Sequence, residues 1–219
     1  MPERIVVLSD FDGTVVEIDT GAFVLTEFAN GDWQRLERQF ESGEISFEEC
    51  LRRQFGMITH PKEEILKKVE TVSIRPYFVD VVNYCHDNGI GFKLVSGGLD
   101  FCIKRILERN RLKVDVICPK TTFTCDGLKL EFPKLSDVNS LSFKDDTVRS
   151  YRRENYSVLF VGDGYADYSA LKEADLRFVM KDSVSAKLFH ASKLEFTEVT
   201  DFEPVLNTLA NGRNLMRVN

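Results

Sequence analysis

Five short apolar runs, each the length of one strand and mostly separated by segments of helical period, constrain this chain's fold more than any other feature. The first is RIVVLS (4–9), where Ile5 to Leu8 are apolar without alternation, the pattern of a strand covered on both faces. GFKLVS (91–96), VDVIC (114–118), YSVLFVG (156–162) and LRFVM (176–180) repeat it. Helical period runs through FVDVVNYCHDNG (78–89), LDFCIKRILERN (99–110), DDTVRSYRREN (145–155) and YADYSALKEAD (165–175). Alternation of this kind predicts an α/β fold, a parallel sheet with helices on both faces.

Two segments break the rhythm. Between the first strand and Pro76 lie about 60 residues without a strand signal, carrying the helical stretches GAFVLTEFA, DWQRLERQFESG and SFEECLRRQF. Ser46 and Glu49 have the spacing of a capping box, and Pro61 suits a first helical turn. A core domain over 1–15 and 76–219 with a small helical insertion over 16–75 is expected, hinged near Val16 to Glu17 and Ser73 to Pro76. In TTFTCDGLKLEF (121–132), Asp126 and Gly127 sit among alternating residues and predict a β-hairpin.

Composition narrows the function classes. A formal net charge of −6 argues against a nucleic-acid surface, which needs clustered Lys and Arg. The longest apolar runs are strand-sized, so no membrane span is expected, and MPERIVVL lacks the features of a signal peptide. A cytoplasmic protein is therefore expected, and its five cysteines, odd in number and never spaced as CxxC, point away from a disulfide framework or a zinc knuckle.

Ligands of open α/β sheets bind beyond the carboxyl ends of the strands. The residues there are Asp10 and Asp12 after the first run, Ser96, Gly97 and Gly98 after the second, and Asp163 and Asp167 after YSVLFVG. Carboxylates gathered in one crevice repel one another unless a cation sits among them, and oxygen ligands with open positions suit Mg²⁺. Such a metal commonly shares its remaining positions with phosphate oxygens, so phosphoryl chemistry leads. The Ser96 hydroxyl with the amides of Gly97 and Gly98 would form a donor cluster for phosphate, and Lys144 would add positive charge, with Lys120 and Lys134 competing for that role.

Taken together, DFDGTV (10–15), VSGG (95–98), Lys144 and GDGYAD (162–167) resemble, in order and spacing, the four motifs of the haloacid dehalogenase-like (HAD) phosphatases. The resemblance implies a Rossmannoid parallel-sheet core with a small helical cap inserted after the first strand and a hairpin flap. The insertion resembles the cap of the phosphoserine phosphatase-like branch. IRPYFVDVVNYCHDNGIGFKLVSGGLDF (74–101) and LKLEFP (128–133) are more similar still to the methionine-salvage phosphatases, which act on 2-hydroxy-3-keto-5-methylthiopentenyl-1-phosphate.

By this resemblance Asp10 is the nucleophile that becomes an aspartyl-phosphate, and Asp12 is the general acid and base. Mg²⁺ would be held by the Asp10 side chain, the Asp12 backbone carbonyl and Asp163, with Asp167 supporting that shell. Ser96 and Lys144 would bind the phosphoryl group, beside Gly97 and Gly98. Phosphoserine phosphatases place a Glu and an Arg where this chain has Asp19 and Gln54; Asp19 would face the substrate, while Gln54 lacks the charge a carboxylate requires. The implied activity is Mg²⁺-dependent hydrolysis of a small-molecule phosphomonoester, with phosphoserine hydrolysis and phosphotransfer as alternatives. The partner is a small phosphate ester, without nucleic acid or membrane, and the protein is a monomer or homodimer. Helical spacing assigns most of Phe23, Phe28, Trp33, Phe40, Phe47 and Phe55 to core packing, leaving one or two to touch substrate. Arg52 and Arg53 read as a solvated helix face, and His60, His86 and His190 stand apart from the motifs.

Overall fold

The computed structural model describes residues 4–216. Strand β1 (Arg4–Ser9) leads into four helices, α1 (Thr20–Phe28), α2 (Trp33–Glu41), α3 (Phe47–Phe55) and α4 (Lys62–Val69), before α5 (Phe78–Asp87) and β2 (Gly91–Val95). Helix α6 (Asp100–Arg109), β3 (Asp115–Ile117) and the pair β4 (Lys120–Thr124) and β5 (Gly127–Glu131) follow. The chain continues through α7 (Phe143–Arg153), β6 (Tyr156–Gly162), α8 (Asp167–Glu173), β7 (Leu176–Met180), α9 (Val184–Ser192), β8 (Thr197–Val199) and α10 (Glu203–Met216).

Six strands form one sheet in the order β3-β2-β1-β6-β7-β8, and every neighbouring pair is parallel. The two central strands are the apolar runs without alternation: Val6 to Leu8 and Val158 to Val161 are almost fully buried, because helices cover both faces. Strand order runs outward one way from β1 to β3 and the other way from β6 to β8. The reversal between β1 and β6 opens a crevice at their carboxyl ends, where a ligand can reach loops from both halves. The sixth strand, β8, was not anticipated. Its three residues carry no apolar run, since an edge strand is paired on one side only, and it exists through its register with β7, from Phe178↔Thr197 to Met180↔Val199.

Helices α1 to α4 fill the segment between β1 and α5, as the missing strand signal predicted. Ser46 accepts the Glu49 N–H, one half of the anticipated capping box, and Pro61 stands at the N-cap of α4, one residue before the first turn. The chain leaves and re-enters the sheet layer side by side. Val16 and Ile74 form an antiparallel bridge, the Arg75 N–H donates to the Val15 carbonyl, and the Arg75 guanidinium donates to the carbonyls of Gly13 (3.1 Å) and Thr14 (3.0 Å). Strands β4 and β5 form the expected hairpin, closing at Thr124↔Gly127 with Asp126 in the turn. Among the described residues no helix is long and apolar enough to cross a membrane, and no disulfide is formed.

Candidate active site

The Asp10 N–H donates to the Val161 carbonyl at 2.9 Å, extending the β1–β6 ladder one residue past the strand and fixing Asp10 at the crevice mouth. The chain then turns tightly: the N–H groups of Thr14, Val15 and Val16 all point to the Phe11 carbonyl. Gly13 takes φ +71°, and a Cβ there would stand 2.2 Å from Asp163 Oδ2, so only glycine lets the loops after β1 and β6 meet. Thr14 fastens that meeting, its hydroxyl donating to Asp163 Oδ1 at 2.9 Å.

Asp12 is turned toward the start of α1, where its Oδ1 accepts from the Thr20 N–H (2.9 Å) and the Thr20 hydroxyl. The loop after β2 closes over its other side; a Cβ on Gly98 would lie 2.4 Å from Asp12 Oδ2. In that loop Ser96 is fully buried and its Oγ accepts the Gly98 N–H at 3.0 Å. The Gly98 amide is thus engaged with Ser96, and the Ser96 hydroxyl keeps its own proton to donate.

Lys144 arrives from the start of α7, which Ser142 and Asp145 cap reciprocally. Its buried ammonium donates to Asp10 Oδ1 at 2.8 Å and to Asp167 Oδ1 at 2.6 Å. Of the three lysines weighed from the sequence, Lys144 is the one brought to Asp10; Lys120 and Lys134 do not border the cavity. Asp167, fully buried at the head of α8, uses its second oxygen to accept the N–H groups of Asp163 (3.1 Å) and Gly164 (2.9 Å).

Asp10, Asp163 and Asp167 each offer a carboxylate oxygen, and these oxygens lie within 4.8 Å of one another. Three hard oxygen donors so close together fit a small divalent cation. Asp167 is one of the three, its oxygens already engaged by Lys144 and by the N–H groups of Asp163 and Gly164. The Asp12 side chain is not part of it.

Electrostatics agree with that fit. Burial, with repulsion from Asp167, pushes the Asp10 carboxyl well above its usual range against the pull of Lys144. Burial and then Asp19 raise Asp12 to about 7, opposed by the Thr20 hydrogen bonds, while burial and then Asp167 raise Asp163 to about 7. For Lys144 burial alone would lower the ammonium, but Asp10 and Asp167 together hold it above its ordinary value, so it stays charged. The site carries more negative charge than its lysine offsets, which is the condition a divalent cation relieves.

Above these groups opens a cavity of about 310 Å³. The sheet side contributes Asp10, Asp12, Ser96, Gly97, Gly98, Lys144 and the loop from Asp163 to Asp167, so the residues expected at the site converge there. Asp19 also borders it, as the N-cap of α1, accepting the Ala22 N–H at 2.7 Å; burial first of all raises its carboxyl. The opposite wall comes from α1 to α3. Trp33, Phe40, Phe47 and Phe55 all border the cavity, more of the aromatics than helical spacing suggested, because a helix face lining a cavity carries the same pattern as one lining a core.

Glu37 and Gln54 share that wall, and no sequence signal marks Glu37: Gln54 Nε2 donates to Glu37 Oε2 at 2.8 Å and to the Trp33 carbonyl at 3.2 Å. Arg52 and Arg53 do not border the cavity. The first lies over the Phe132 ring, 5.1 Å from its centroid, and the second pairs with Glu49. His60, His86 and His190 are likewise away from it.

Known proteins resemble this chain in sequence and in fold. A relative from Lysinibacillus sphaericus, named 2-hydroxy-3-keto-5-methylthiopentenyl-1-phosphate phosphatase, is 28% identical over 181 residues, covering 78% of this chain and 79% of its own. One of the same name from Brevibacillus brevis is 27% identical over 216 residues, covering 95% and 96%. Among solved structures, a HAD family hydrolase from Salmonella enterica serovar Typhi superposes with a TM-score of 0.70 at 17% identity, over 94% of this chain and 71% of that one. A phosphoserine phosphatase in a phospho-aspartyl intermediate analogue form gives 0.68 at 19%, over 94% and 98%; at such identities the likeness shows the shared fold. The profile of the haloacid dehalogenase-like hydrolases matches residues 7–172, so the chain belongs to that family.

Proposed function

We propose that the protein hydrolyses a small-molecule phosphomonoester with the help of Mg²⁺, through an aspartyl-phosphate on Asp10. The observation that carries this reading is the Lys144 ammonium shared between Asp10 and Asp167 at the edge of the three-carboxylate cluster, under a cavity large enough for a small ester. Asp10 attacks phosphorus as the ester's alcohol departs, which splits one hard displacement into two easier ones. Asp12, raised to about 7, is matched to giving the leaving oxygen a proton near neutral pH and then taking one from the attacking water. Lys144 and the Ser96 hydroxyl face the charge gathering on the phosphoryl oxygens. A divalent cation held by Asp10 and Asp163, with Asp167 beside them and the Asp12 carbonyl as a further ligand, would supply additional positive charge to those oxygens.

In this reading residues 16–75 act as a cap on a core formed by 1–15 and 76–219, with its hinges at the paired linkers around Val16 and Ile74. The cavity wall built from α1 to α3 supports it. A methionine-salvage ester is the favoured substrate, supported by the names of the relatives. Phosphoserine is disfavoured because Gln54 is spent on Glu37 and Trp33 and neither cap arginine borders the cavity. A cytoplasmic setting belongs to this reading, and the five cysteines, none of them in a disulfide, support it.

The test is phosphate release from a panel of phosphorylated metabolites with Mg²⁺, with and without an acceptor alcohol. Release that disappears in EDTA and in Asp10→Asn is expected. Turnover surviving in Asp10→Asn would refute the assignment, and faster transfer to the alcohol than to water would favour a phosphotransferase.

A further inference from the structure

The cavity wall carries charge beyond what phosphoryl transfer uses. Six carboxylic acids border it (Asp10, Asp12, Asp19, Glu37, Asp163 and Asp167) against one cation, Lys144, whose ammonium is already shared between Asp10 and Asp167. Five of the six lie in or directly after the loops that follow β1 and β6. Glu37 does not: it sits on α2, in the inserted helices, among Trp33, Phe40 and Phe55.

Glu37 is oriented rather than neutralised. Its Oε2 accepts from Gln54 Nε2, and the same amide nitrogen is anchored on the Trp33 carbonyl. The Cys50 thiol stands 3.8 Å from that oxygen. Among the described residues no lysine, arginine or histidine forms an ion pair with Glu37, and the nearby Arg38 pairs with Asp32 instead. A part-buried carboxylate in an apolar wall is satisfied by donors, and a ligand in the cavity is the group placed to bring one.

Resting on the phosphatase reading, we propose that Glu37, held by Gln54, is a specificity-determining residue that accepts a hydrogen bond from a hydroxyl or ammonium group on the ester's alcohol part. Glu37, with Asp19 beside it, makes the same cavity reject esters whose alcohol part bears a second anionic group, since among the described residues no lysine or arginine of the inserted helices borders it. The substrate class is therefore a phosphomonoester of a neutral or cationic alcohol, with a polar donor on a short hydrocarbon frame that packs on Trp33, Phe40 and Phe55.

The experiment compares kcat/KM with Mg²⁺ for glycerol 3-phosphate (hydroxyl donors), phosphoethanolamine (an ammonium donor), 3-phosphoglycerate (a carboxylate) and p-nitrophenyl phosphate. Glycerol 3-phosphate or phosphoethanolamine is expected to exceed 3-phosphoglycerate, which adds a carboxylate beside its hydroxyl, by about 100-fold. Glu37→Gln should shrink that ratio about 10-fold, through KM rather than kcat, and Glu37→Lys should shrink it further. A ratio of two substrates on one preparation is insensitive to any misfolded fraction. A larger loss for phosphoethanolamine than for glycerol 3-phosphate identifies an ammonium as the partner, and the reverse identifies a hydroxyl. Calorimetric binding of the same esters to Asp10→Asn should rank them in the same order. Equal turnover of 3-phosphoglycerate, or a ratio unchanged in Glu37→Gln, would overturn the specificity proposal and leave the phosphatase reading standing. No Mg²⁺-dependent release from any of the four, p-nitrophenyl phosphate included, would overturn both.

Discussion

Replacing Lys144 with methionine removes the ammonium that bridges Asp10 and Asp167 while keeping most of its volume. At an effective dielectric constant of about 20, a cation 2.6 to 2.8 Å from each of two carboxylates gains about 6 kcal/mol from each. Desolvating the ammonium cancels several kcal/mol of that, leaving a net cost of about 3–5 kcal/mol when a buried pair loses one partner. For a chain of this length the loss corresponds to a Tm lower by roughly 10 °C. The cost should be smaller at pH 5 than at pH 8, because Asp10, already held high by burial and Asp167, takes up a proton once the lysine is gone. Thermal melts of wild type and Lys144→Met in EDTA at the two pH values measure this directly. With Mg²⁺ present, kcat should fall about 10²- to 10³-fold through loss of the charge facing the phosphoryl oxygens. Should the variant melt with wild type at pH 8 and keep more than a tenth of its kcat, the charge argument for Lys144 fails.

Asp12→Asn should release about one equivalent of nitrophenolate from p-nitrophenyl phosphate in a rapid burst and then nearly stop, since that leaving group needs no proton whereas the second step needs a base; a steady wild-type rate in stopped-flow absorbance counts against Asp12 as base. Gly98→Ala, whose Cβ would meet Asp12 Oδ2 at 2.4 Å, should lower kcat about 10²-fold with Tm nearly unchanged, and full activity would show that the loop after β2 yields freely. Asp12 and Asp163 rise from an ordinary 3.8 to about 7, so the folded state holds more protons than the unfolded one between those values. Metal-free stability should consequently decline as pH climbs from 4 to 7 and flatten above, with Mg²⁺ raising Tm more at pH 8 than at pH 5; a metal-free Tm that increases across that window contradicts the sign.

The residues readable in advance were those whose role follows from local position. Asp10, Ser96 and Asp163 directly follow apolar runs, and a parallel sheet places all such ends on one edge. Lys144 needed more: three lysines lay within reach, and what selects one is the Ser142–Asp145 cap that starts α7 where its ammonium meets Asp10. Asp167 read as a supporting residue, but its ties to Lys144 and to the 163–164 amides come from tertiary packing. Trp33, Glu37 and Phe40 recur at helical spacing, which is equally the signature of a face on a core, so nothing local marked them as a cavity wall. β8 escaped notice because an edge strand of three residues owes its existence to its neighbour.

Because Val16 and Ile74 are antiparallel neighbours, the backbone between them is a closed excursion that begins and ends at one doorway. From the sheet side Arg75 holds the doorway shut, its guanidinium on the Gly13 and Thr14 carbonyls and its N–H on that of Val15. If the helices between Val16 and Ile74 act as the proposed cap, exchanging them for helices with different walls would redirect which alcohols are admitted, provided that Thr20 is kept to hold Asp12.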